Sequence, residues 1–94
     1  DNLSPIRSLT GHGIGRSLHE DPHIPCFVSN SSHERIKIKE GMALAIEVMY
    51  AQGSGDVVYD SDGWTIRTKD GKMAALFEET VIVGKNSPII LTEG

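Results

Sequence analysis

Short β-prone runs, some alternating at period two and some almost wholly apolar, recur along this chain between glycine-marked turns, and no stretch carries a confident amphipathic-helix period. The pattern predicts a mostly β protein. Ile6–Leu9 reads as a short alternating strand that runs into the glycine-punctuated Gly11-His12-Gly13-Ile14-Gly15. Arg35–Lys39 alternates strictly, as a half-exposed strand does, and Met42–Met49 follows as an apolar strand after a turn at Glu40-Gly41. Ser31-x-x-Glu34 has the form of a helix cap, but the alternation beginning at Arg35 contradicts a helix there. Further strands are expected at Val57-Val58, within Trp64–Thr68, at Ala74–Val83 and at Ile89–Leu91. Asp62-Gly63 and Asp70-Gly71 bracket the Trp64–Thr68 run, and the second dipeptide is the stronger hairpin signal. A sheet needs a cover for its apolar face, and these strands come with almost none. Exposed sheet surface and self-association through it are the expected consequence.

At 94 residues the chain is at most one domain with a small core, and with aromatics at 5% aliphatic residues must fill it. The formal charge of -4, with Lys and Arg scattered, argues against nucleic acid or an anionic membrane as partner. One cysteine, Cys26, excludes an intrachain disulfide framework and suits a reducing compartment. No apolar stretch approaches membrane-spanning length and no signal-peptide pattern opens the chain, so a cytoplasmic location is expected. The chain starts at Asp1 rather than Met, as a processed product, a trimmed chain or a fragment would.

Acids inside the apolar runs change this picture. Glu47 interrupts Met42–Met49, and Glu78 and Glu79 interrupt Ala74–Val83, with no Lys or Arg in either run. A buried carboxylate costs several kcal/mol unless a counter-charge, hydrogen bonds or a metal compensates. Strand phase puts Glu47 on a face with Ala43 and Ala45, which leaves room beside it for an ion, water or substrate. A solvated edge-strand glutamate is the plainer alternative. Glu78 and Glu79 point to opposite faces, and phase alone does not choose between them. His12 lies between two glycines, which permit unusual backbone angles and close approach and so aim a side chain. Histidine with carboxylates suits Mn, Fe, Co or Zn, although a satisfied structural histidine is the default for a lone one. His23 and His33 fall in polar, loop-like sequence. Gly11-x-Gly13-x-Gly15 lacks dinucleotide spacing, and Asp60-Ser61-Asp62-Gly63 lacks the first and last ligands of a calcium loop.

Five ordered motifs together are specific. They are Gly11-His12-Gly13-Ile14-Gly15-Arg16, Leu18-His19-Glu20, Ile46-Glu47-Val48-Met49, Asp62-Gly63-Trp64-Thr65 and Phe77-Glu78-Glu79-Thr80. The chain resembles, over essentially its whole length, the C-terminal half of type I (bacterial-type) methionine aminopeptidases, members of the pita-bread metallopeptidases. The resemblance implies an α+β pita-bread fold, of which residues 1–94 would supply mainly the antiparallel β part of the C-terminal half, with little helix. It implies that His12 and Glu47 hold one metal ion and that Glu78, rather than Glu79, bridges it to a second. His19 would stabilise the tetrahedral intermediate, and Leu18 and Trp64 would border the pocket for the methionine side chain. The implied reaction is hydrolytic removal of the initiator methionine from peptides or nascent proteins, assisted by two divalent ions (Co, Mn, Fe or Zn).

Three departures qualify the resemblance. Val48 replaces the proline that usually follows the ligand glutamate, and Glu79 replaces a common histidine. Two aspartate ligands, another histidine and much of the methionine pocket belong to an N-terminal half outside this sequence. The implied donor set here is partial, suited to one ion or none, and the chain alone is expected to be inactive. The competing reading is a non-catalytic pita-bread relative serving as a binding or assembly module.

Overall fold

A computed structural model describes residues 2–28 and 36–93. Its strands are β1 (Ser4–Pro5), β2 (Gly11–Gly13), β3 (Glu20–Ile24), β4 (Ala43–Ala51), β5 (Val57–Tyr59), β6 (Ile66–Thr68), β7 (Ala74–Ile82) and β8 (Ile89–Ile90). Among the described residues none forms a helix, and so no helix is long and apolar enough to cross a membrane. Six strands form one antiparallel sheet in the order β3-β2-β4-β7-β8, with β1 also pairing β4; β5 and β6 form a separate two-stranded sheet.

The sheet is organised by β4 and β7, which pair over nine residues from Ala43↔Ile82 to Ala51↔Ala74. Both runs lack glycine and proline and carry apolar side chains suited to a pleated surface. Gly41, at φ +90, makes the turn that enters β4. Its N–H donates to Val83 O, and Val83 N–H donates to Met42 O, which carries the pairing two steps past the ladder.

Directly opposed residues of an antiparallel pair share a face. One face therefore carries Ala45, Glu47, Met49 and Ala51 of β4 against Thr80, Glu78, Leu76 and Ala74 of β7. Ile6, Ala45, Met49 and Ala51 are buried, and the β5–β6 hairpin lies over this side, where Val57, Ile66 and Thr68 meet Met49 and Leu76 around a 230 Å³ cavity. The other face is buried at Leu44 and open further along. Val48 is 43% and Phe77 64% exposed, and Phe77 stacks on Tyr50 at 6.3 Å between ring centroids.

Three local expectations are corrected. Ile6–Leu9 is not a strand: the chain pairs at Ser4–Pro5 and then turns at Arg7-Ser8. Ile6 turns inward with its N–H on Met49 O, while Arg7 turns outward over the Phe27 ring at 4.6 Å. Ile36–Lys39 is not a strand either, and Arg35, His33 and the Ser31/Glu34 cap lie outside the described residues. Ile36, Lys37 and Ile38 all line an apolar groove with Ile24, Leu44 and Ile46.

The third correction concerns the hairpin. Asp70-Gly71 does turn, with Gly71 at φ +74 and its N–H on Thr68 O, but the strands it joins lie in different sheets. The true hairpin joins β5 to β6 around Asp62-Gly63: Asp60 N–H donates to Thr65 O, Gly63 N–H to Asp60 O, and Gly63 sits at φ +70. A nine-residue ladder with β4 outweighs the short local pairing that β7 could make with β6.

Asp62 ties this hairpin loop together. Its Oδ1 accepts N–H bonds from Trp64 (2.9 Å) and Thr65 (2.8 Å), and Oδ2 accepts the Thr65 hydroxyl at 2.6 Å. The Thr65 hydroxyl first, then these two N–H groups, hold its carboxyl below the ordinary 3.8. A carboxyl lowered on folding stabilises the loop fully above its unfolded value, and the contribution is lost as pH falls through the folded value. The Trp64 and Thr65 amide resonances are therefore expected to hold steady from neutral pH down past 3.8 and to titrate only below it. A midpoint at or above 3.8 would count against the bonding described.

Candidate metal centre

Three strands deliver three donor side chains to one point. His12 lies in β2, opposite Ala45 of β4. Glu47 follows Ala45 by two residues and so shares its face. Glu78 of β7 stands directly opposite Glu47. One donor atom from each of His12, Glu47 and Glu78 lies within 4.8 Å of the others.

The glycines around His12 act by close packing. Neither Gly11 nor Gly13 has a positive φ. A Cβ on Gly11 would stand 2.5 Å from Ala45 O, and one on Gly13 would stand 2.1 Å from Asp21 O. With β3 on one side and β4 on the other, β2 fits only without side chains at both positions. Of the two effects expected of these glycines, close approach is the one in use.

His12 Nδ1 lies 2.8 Å from Gly13 O. A carbonyl only accepts, so Nδ1 carries the proton and a neutral ring presents its lone pair at Nε2. That atom lies 2.9 Å from Glu47 Oε1. A lone pair facing a carboxylate oxygen at this distance is repulsive unless a proton or a cation stands between them. Two ligands each about 2.1 Å from an ion, at right angles, would be about 3.0 Å apart, so a divalent ion fits the spacing. One imidazole and two carboxylates also match first-row divalent metals chemically.

Electrostatics points the same way. Glu47 is 14% exposed at its side chain, and like charges directly opposed across a ladder destabilise it. Among the described residues the one salt bridge made by a Lys or Arg is Arg67–Asp60, so neither offsets the two glutamates. Burial holds for Glu47 only. Glu78 is exposed, as is all of β7 from Ala74 to Glu79, although the β5–β6 hairpin approaches this strand at its Ala74–Leu76 end. Glu79, opposite Ile46, faces away from the triad and accepts a hydrogen bond from the Thr92 hydroxyl.

The His19 ring stands 4.3 Å from the His12 ring, tilted by 53°. Leu18 and Trp64 are 69% and 84% exposed, so neither is walled in. Glu20 is the residue of this region that the sequence does not single out. It accepts the Ser17 N–H at 2.8 Å and fastens the loop carrying Leu18 and His19. Its only signal in the sequence is its place beside His19. A cleft of about 650 Å³ beside Arg7, Ser54, Asp56 and Lys69 shares no residue with the triad.

Comparison with known proteins agrees with this geometry. Residues 2–85 match metallopeptidase family M24. The chain is 46% identical over 83 residues to a methionine aminopeptidase of Aquifex aeolicus, covering 88% of this chain and 32% of that protein. It is 46% identical over 92 residues to one from Clostridium perfringens, covering 98% of this chain and 36% of the relative. The crystal structure of the Thermotoga maritima methionine aminopeptidase superposes with a TM-score of 0.89 at 41% identity, over 99% of this chain and 36% of that one. The chain thus spans about a third of the length of the relatives it matches. With a metal-compatible triad on a sheet of the same fold, the chain belongs to metallopeptidase family M24, a family of metal-dependent hydrolases.

Proposed function

We propose that residues 1–94 supply the C-terminal half of a pita-bread domain and part of the dinuclear centre of a methionine aminopeptidase that removes initiator methionine from nascent proteins in the cytoplasm. The supporting observation is the convergence of His12, Glu47 and Glu78 from three strands within 4.8 Å. His12 and Glu47 would hold one ion, and Glu78 would join it to a second; Co, Mn, Fe and Zn all suit the donors. Divalent ions held there supply Lewis-acid polarisation of a peptide carbonyl and a water acidic enough to attack it near neutral pH.

The chain's own groups prepare that chemistry. The Nδ1–H bond to Gly13 O fixes the His12 tautomer and leaves Nε2 free to hold an ion, as an outer hydrogen bond does for metal-bound histidines. No described side chain pairs with Glu78, so its carboxylate would be free to serve metal ions. His19 stabilises the oxygen of the tetrahedral intermediate, while Leu18 and Trp64 border the methionine side chain. Two further carboxylate ligands and a second histidine come from the other half of the domain. A non-catalytic binding module has little use for three converging metal donors, and the aminopeptidase reading is preferred.

Residues 2–93, exchanged for the aligned third of the Thermotoga maritima enzyme, are expected to keep metal-dependent release of methionine from a Met-Ala peptide. A folded chimera with no turnover would sink the proposal. The 94-residue chain by itself is expected to release negligible methionine with Mn²⁺ or Co²⁺ present. Turnover comparable to an intact enzyme would show that no further ligands are needed. We also propose that the isolated chain self-associates through the face bearing Val48, Tyr50 and Phe77, so light scattering should give a mass that rises with concentration. A strict monomer at high concentration would remove that idea.

A further inference from the structure

The geometry points to Glu20 as a positioning residue whose carboxylate folds the 14–19 loop back so that His19 stands against His12. The loop leaves β2 after Gly13 and returns at Glu20, and those two residues are themselves paired across β2 and β3. Its entry is anchored by Ile14 N–H on Ala43 O at 3.1 Å. Between these ends the chain is exposed, and internal bonds must shape it. Two do so: Gly15 N–H donates to Ser17 O at 3.1 Å, and Ser17 N–H donates to Glu20 Oε2 at 2.8 Å. The second bond runs from the middle of the loop to the residue next to His19, and a charged acceptor makes it stronger than a neutral one.

Gly15 is the other half of the arrangement. A Cβ there would lie 2.9 Å from Glu20 Oε1, so the carboxylate occupies the hollow that the missing side chain leaves. Gly15 and Glu20 together draw the loop into a tight fold with His19 at its closing end. The His19 ring then reaches 4.3 Å from the His12 ring, beside the three metal donors. A side chain that acts on a reacting carbonyl is effective only when held close to its productive position. Glu20 does not touch that centre; it acts through His19. The catalytic meaning of this placement rests on the aminopeptidase reading, but the placement does not.

The test keeps the two apart. In the chain free of metal, NMR should show a cross-peak between the His12 and His19 ring protons. Glu20→Ala and Glu20→Met, which remove the acceptor at short and full length, should lose that cross-peak while the cross-strand peaks between β4 and β7 persist. Glu20→Gln keeps an acceptor oxygen at the same reach and should retain it. Persistence of the His12–His19 cross-peak in the Ala and Met variants overturns the proposal. Added Co²⁺ should then shift the ring signals of both histidines in the unmodified chain, but those of His12 alone in Glu20→Ala. Co²⁺ that moves neither histidine in the unmodified chain contradicts the metal reading and leaves the cross-peak result to decide on Glu20.

Discussion

Replacing Glu47 with alanine should abolish the calorimetric heat of Mn²⁺ or Co²⁺ binding that the unmodified chain gives. Glu47 lies 2.9 Å from the His12 lone-pair nitrogen and directly opposite Glu78, so its loss opens the middle of the donor set. Removing even an outer-sphere partner weakens metal binding roughly 10–100-fold, and a direct ligand should cost at least that. Thermal unfolding gives a second reading. At about 100 times the dissociation constant the ion should stabilise the unmodified chain by ~2.7 kcal/mol, and Glu47→Ala should gain almost nothing. Without metal the order reverses, because the variant no longer opposes two carboxylates across a ladder and should gain a few tenths of a kcal/mol to ~1. Equal heats from the two proteins would remove Glu47 from the centre.

Gly13→Ala should be the most damaging single-methyl change in the chain. The added Cβ would meet Asp21 O at 2.1 Å and Asp21 C at 2.8 Å, both backbone atoms of the neighbouring strand. Neither can rotate away, so β2 and β3 must separate, at a cost on the order of 3 kcal/mol. Gly63→Ala is the useful contrast. Gly63 sits at φ +70 with open space around it, so its cost is that of the left-handed conformation, about 1–2 kcal/mol. Urea unfolding should rank Gly13→Ala well below Gly63→Ala in stability, and the reverse order would refute the packing account. Because His12 precedes Gly13, the same change should also weaken Mn²⁺ binding.

Much of the centre is legible in the amino-acid sequence. Glutamates in apolar runs stand out because exposed strand positions alternate with buried ones and these acids break the expected composition. His12 stands out by its flanking glycines. Legibility ends where two strands have to be laid side by side. Phase within β7 separates Glu78 from Glu79 but says nothing of which faces Glu47; the register Glu47↔Glu78 does. The hairpin expectation fails for a related reason, since Asp70-Gly71 is a genuine turn whose following strand finds a longer partner elsewhere. Strand phase leaves open which of Glu78 and Glu79 is buried, and the fold leaves both exposed, because β7 is open to solvent from Ala74 to Glu79.

Composition and alternation settle local matters: where strands form, where glycine breaks them, and which residues bring unusual chemistry to an apolar run. These follow from φ/ψ preference and from side-chain alternation, which act over a few residues. Packing between distant segments is what lays β2, β4 and β7 side by side in a register that gathers His12, Glu47 and Glu78 within 4.8 Å. It also folds the 14–19 loop so that His19 returns beside them. No short stretch of chain encodes that arrangement, because strand register is a sum of many weak cross-strand contacts. A slip of one residue in any of the three strands would send its donor to the opposite face.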